Sequence, residues 1–82
     1  MTMQDLALVS KDSLVSGTYF RHFEIYSDGK RVFAANDVVV NRDTLWGLSV
    51  CRQGEELPLW SDDNSPCDIH ISQEYNLLTI GY

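Results

Sequence analysis

YFRHFEIYSDGKRVFAANDV, residues 19–38, is the stretch whose reading decides the fold. At its centre, Asp28-Gly29 suits the two positive φ values of a type I′ turn, the two-residue loop whose twist matches the strands it joins. A loop centred there pairs Tyr26 with Arg31, Ile25 with Val32, Glu24 with Phe33, Phe23 with Ala34 and Tyr19 with Val38. Because side chains alternate along a strand, this register puts Tyr19, Phe23, Ile25, Val32, Ala34 and Val38 on one face, the expected core. The opposite face carries Phe20, His22, Tyr26 and Phe33 beside Glu24 and Arg31, more aromatic than a solvent face requires. It is expected to be covered, either by the N-terminal segment or, as a second interface, by a partner or another copy of the chain.

Working outward, Gln53-Gly54 reads as a second hairpin of the same kind, pairing Arg52 with Glu55, Val50 with Leu57, Leu48 with Leu59 and Trp46 with Ser61. A third hairpin needs a four-residue loop, residues 73–76, and sets Ile71 opposite Leu78 and Ile69 opposite Ile80. The links Asn41-Arg42-Asp43 and residues 61–66 are rich in turn formers and short enough for antiparallel neighbours only. The expected fold class is therefore mainly β: a six-stranded antiparallel meander of three hairpins, a small barrel or folded sheet. Before it, Leu6-Ala7-Leu8-Val9 reads as an edge strand or, given the capping-box spacing of Thr2 and Asp5, a short helix.

At 82 residues the chain has room for one core, so residues 1–82 read as a single small acidic β domain. An apolar share of 44% argues against disorder. The first residues lack a basic region followed by an apolar run and a small-residue cleavage site, and no stretch approaches a membrane span; a cytoplasmic protein with free Cys51 and Cys67 is the expectation.

No motif identifies an enzyme. Cys51, Cys67, His22 and His70 supply zinc-type ligands but only one tight pair, Cys67 with His70, where a structural site needs two. Asp62, Asn64 and Asp68 suggest a calcium loop, yet Pro66 and Gln73 stand where an EF-hand loop needs ligands. Placed opposite Glu56, Cys51 has its thiolate disfavoured rather than activated. Neighbouring acids such as Glu55 and Glu56 point to opposite faces of a strand and make no shared-proton dyad. The expectation is a non-enzymatic protein with no metal and no cofactor.

Charge is the remaining signal. Six acids balance six bases up to Arg52; beyond it stand Glu55, Glu56, Asp62, Asp63, Asp68 and Glu74 with no lysine or arginine, so the net charge of −6 lies wholly in the last 30 residues. Such a field selects cationic partners and repels nucleic acid. The hairpin registers gather Glu55, Glu56, Asp62, Asp63, Asp68 and His70 around Trp60, a composition suited to a basic, partly apolar protein surface. At the level of class alone, a small acidic β protein resembles inhibitors of nucleic-acid-binding enzymes, such as phage anti-defence proteins (anti-CRISPR or anti-restriction inhibitors) and immunity proteins. A domain about 30 Å across matches a duplex length bearing on the order of 18 phosphates, so six carboxylates imitate only a fragment. The expected function is a protein-binding module, an inhibitor that blocks a cationic site. The alternative is an assembly protein forming homo-oligomers through Phe20, His22, Tyr26 and Phe33.

Overall fold

The computed structural model describes residues 6–43 and 47–82; Thr2, Asp5 and Trp46 lie outside the described residues. It is mainly β, as expected, with seven strands: β1 (Leu6–Val9), β2 (Tyr19–Ser27), β3 (Lys30–Asp43), β4 (Gly47–Arg52), β5 (Pro58–Ser61), β6 (Asp68–Ser72) and β7 (Leu77–Gly81). They form one sheet in the order β1-β6-β7-β2-β3-β4-β5. The N-terminal stretch is the edge strand of the two alternatives, lying antiparallel on β6 with Ala7 opposite Ile71. All other neighbours are antiparallel except β2 and β7, which run parallel with Phe23 beside Leu78 and Ile25 beside Ile80. That pair corrects the all-antiparallel meander. β2 to β5 keep meander order, but the β6–β7 hairpin returns to the other side of β2, where Leu78, Thr79 and Ile80 are all buried.

The sheet is rolled. Lys11 follows β1 and Asp62 follows β5, strands at opposite ends of the order, yet Lys11 Nζ lies 2.9 Å from Asp62 Oδ1. In a flat sheet six strand spacings would hold those edges about 29 Å apart. Residues 10–18 bridge the open side as a strap. Ser10 Oγ accepts from the Asp12 amide and caps a short 3₁₀ turn, Lys11–Ser13, after which Leu14 is buried. Arg42 clamps the strap by donating from Nε to the Leu14 carbonyl at 2.9 Å and from its second guanidinium nitrogen to the Lys11 carbonyl, while its backbone amide donates to Ser16 Oγ.

Inside the roll sit Leu14, Phe20, Phe23, Val38, Val40, Leu48, Val50, Trp60, Ile69, Leu78 and Ile80. Each fully buried aliphatic or aromatic side chain among them contributes about 1.5–3 kcal/mol relative to exposure. The third hairpin has the expected register, Ile71 opposite Leu78 and Ile69 opposite Ile80. The first has the expected turn, with Asp28 at φ 54° and Gly29 at φ 79°, and the expected Tyr26–Arg31 pair. Val32 then bulges, and from Ile25 onward the partners shift by one, so Ile25 faces Phe33. Phe33 consequently turns inward and packs edge-on against Phe23, ring centres 6.1 Å apart. A second irregularity follows at Asp37, φ 57°, where both strands exchange faces: Phe20 and Phe23 are both buried although three positions apart. Tyr19, Val32 and Ala34, expected in the core, lie outside for these reasons.

The second hairpin departs further. Gly54, φ 84°, makes a tight turn in which the Glu55 amide donates to the Arg52 carbonyl, but pairing does not resume at Glu55. β5 begins only at Pro58, which lacks an N–H and therefore suits the first position of a strand. Cys51 lies opposite Pro58 instead of Glu56, a slip of two; an irregularity between Cys51 and Val50 then adds a third, so Val50 lies opposite Trp60 instead of Leu57, and that odd step reverses the faces. Leu57 is 78% exposed and Trp60 only 8%.

Candidate protein-binding surface

The structure divides the expected acidic surface into three places. Glu55 and Glu56 are exposed on the turn after β4, where Glu55 faces Arg52 at 3.7 Å. His70 lies on the outer face of β6, between Leu8 of β1 and Thr79 of β7. Trp60, the expected exposed centre, is in the core because of the irregularity between Cys51 and Val50, and its indole N–H donates to Tyr82 Oη at 2.7 Å. Only Asp62, Asp63 and Asp68 come together, at the end of the roll that holds Lys11, Cys67 and Tyr82.

The loop from Asp62 is built from its own carboxylates. Asp62 accepts from Lys11 Nζ and, through the same oxygen, from the Asn64 amide at 2.9 Å. Asp63 accepts from the Ser65 amide at 3.0 Å, and Asn64 takes φ 67°, a conformation asparagine tolerates. The Lys11 ammonium holds the Asp62 carboxyl below its usual range, and the Ser65 donors do the same for Asp63. The Asp62 carboxylate in turn raises Lys11. Burial pushes the Cys67 thiol up, an effect only offset in part by Lys11, which keeps it protonated and a poor nucleophile.

This latch gives a pH signature. Asp62's folded pKa is depressed, so its contribution is present above the ordinary aspartate value of 3.8 and lost as pH falls through the folded pKa. Lys11's is raised, so its contribution is present below 10.5 and lost as pH rises through the folded pKa. Urea midpoints of the native chain and Asp62→Asn are expected to differ by a constant amount between those limits and to converge in acid. A difference that persists unchanged well below 3.8 would show that the carboxylate charge is not what stabilises the loop.

What replaces Trp60 at the acidic end is Tyr82. Its amide donates to the Tyr26 carbonyl at 2.9 Å, its carbonyl accepts from the Asp28 amide at 3.4 Å, and its hydroxyl accepts from Trp60. The residue is 47% exposed. Its backbone lies beside that of Asp28, and the preceding Gly81 is cross-strand from Asp68; both aspartates are exposed. Neither Tyr82 nor Lys11 carries a local sequence signal; each takes its role from a partner far along the chain.

The expected second interface is split by the same bulge and face reversal. Phe20 is in the core and Phe33 packs on Phe23, leaving His22 and Tyr26 outside. These two line a shallow concavity of about 490 Å³ with Glu24, Arg31, Asn36 and Tyr75. Its polar groups are paired among themselves: Arg31 with Glu24 at 3.0 Å, Tyr26 Oη with Glu24 at 3.1 Å and His22 Nδ1 with Asn36 at 3.0 Å. Cys51 is buried on β4 and Cys67 half-buried, both as free thiols. Among the described residues no group of three or more His, Cys, Asp and Glu side chains is placed to hold a metal ion, and no helix is long and apolar enough to cross a membrane. Compared with known proteins, the chain matches no family model, no curated protein and no solved structure.

Proposed function

We propose that this chain is a non-enzymatic binding module whose acidic end engages a basic, partly apolar site on another protein, with Tyr82 as the anchor and Asp28, Asp63 and Asp68 around it. The observation that carries this reading is the setting of Tyr82, which is half exposed while its amide, carbonyl and hydroxyl are all held. A fixed aromatic side chain offers contact area without an ordering penalty at the moment of binding, and the surrounding carboxylates orient and speed the encounter. A patch of this size fits one cationic site rather than a length of duplex. The finer role consistent with that chemistry is an inhibitor that plugs a site where an enzyme would hold nucleic acid, as anti-defence and immunity proteins do.

The test is capture of a partner by the native chain, Tyr82→Ala and Asp63→Lys/Asp68→Lys at two salt concentrations, with urea midpoints confirming that each variant folds. Asp62 is left in place because its reversal would break the latch to Lys11. Tyr82→Ala is expected to weaken capture about tenfold or more. The double reversal is expected to slow association and remove its salt dependence. Equal capture by all three proteins would sink the proposal.

A further inference from the structure

We infer that two copies of this chain pair through the free edge of β3. β4 covers β3 only over residues 38–43, so across residues 30–36 one edge of the strand has no partner strand among the described residues. An unpaired edge is a template for another strand. β1 and β5, the two ends of the sheet, offer four residues each and are drawn together by the Lys11–Asp62 pair; the β3 edge offers seven. Its middle, Ala34 and Ala35, carries no bulk to hold a neighbour away.

The occupant follows from charge. In an antiparallel pair about a two-fold axis, the start of the edge in one copy meets its end in the other. The start carries Lys30, which is exposed and has no ion pair among the described residues. At the end the Gln53 amide donates to the Asp37 carbonyl at 2.8 Å, which sets the turn bearing Glu55 and Glu56 immediately beyond the edge. Lys30 of each copy therefore falls beside Glu56 of the other, and symmetry makes that pairing twice. Basic with acidic is the self-complementarity that an isologous interface requires.

Sedimentation velocity from micromolar to millimolar protein is expected to show the mass of the native chain doubling, with slowed hydrogen exchange over residues 30–36 in the dimer. Lys30→Glu and Glu56→Lys, both on exposed side chains, are each expected to weaken dimerisation about tenfold, since each removes two symmetry-related pairs. The combined Lys30→Glu/Glu56→Lys chain is expected to dimerise again. A native chain that stays monomeric at millimolar concentration and low salt overturns the inference. So does a dimer indifferent to the single reversals, or one that the combined exchange fails to restore. None of these variants touches Tyr82, Asp63 or Asp68, so the outcome is separable from partner capture.

Discussion

Replacing Phe23 by alanine is expected to remove most of the stability of the chain and to leave a large unfolded fraction in water. Phe23 is completely buried, lies on β2 between β3 and β7, and meets Phe33 edge-on and Leu78 directly across the parallel ladder. Truncations of this type cost about 3–5 kcal/mol, because the lost transfer energy adds to that of a cavity the surroundings cannot fill. The per-residue range for native proteins gives a chain of this length about 4–12 kcal/mol in total, with small domains toward the lower end. Phe23→Leu, which keeps most of the volume, is expected to cost under about 1.5 kcal/mol. Urea unfolding followed by far-ultraviolet circular dichroism measures both. A loss below about 1 kcal/mol for the alanine variant would place Phe23 outside the core.

Trp60→Ala is expected to be nearly as damaging, about 3–5 kcal/mol, whereas Trp60→Phe should cost about 1 kcal/mol. The first removes a large side chain lying opposite Val50 across the β4–β5 ladder; the second keeps a six-membered aromatic ring and loses the fused five-membered ring with the indole N–H that Tyr82 Oη accepts. The comparison tells the two placements of this residue apart, because an exposed anchor would tolerate alanine within about 0.5 kcal/mol. Trp60→Phe has a second readout. With its hydroxyl released, Tyr82 is less well fixed, and capture of a basic partner should weaken although the protein remains folded.

The contrast between the hairpins shows what a sequence makes legible. In the third, turn length and alternation agree on one register, and the strands adopt it. In the first, Asp28-Gly29 announces the turn, but nothing local announces the bulge at Val32 or the left-handed Asp37, and each redirects the side chains beyond it. In the second, Pro58, whose missing N–H favours the first position of β5, signals the late start of the strand, but nothing local announces the irregularity between Cys51 and Val50 that turns Trp60 inward. The candidate site inherits these faults. Asp62, Asp63 and Asp68 are gathered as expected, but Tyr82 and Lys11 reach them through sequence separations that periodicity does not encode: Lys11 and Asp62 stand 51 positions apart.

The parallel pairing of β2 with β7 has a consequence for the order in which the molecule assembles. Every matched pair in that ladder is 55 positions apart, His22 with Leu77 being the first, whereas the β6–β7 hairpin closes over four residues. Loop-closure entropy grows by about 0.6 kcal/mol per doubling of length, so the ladder begins about 2 kcal/mol behind the hairpin. Local hairpins form before such a junction, and the rate of folding is set by the long closure rather than by the turns. The last strand along the sequence is thus the keystone: until β7 docks, Phe23 and Ile25 of β2 lack their neighbours Leu78 and Ile80, and no strand pairing joins the two halves of the roll.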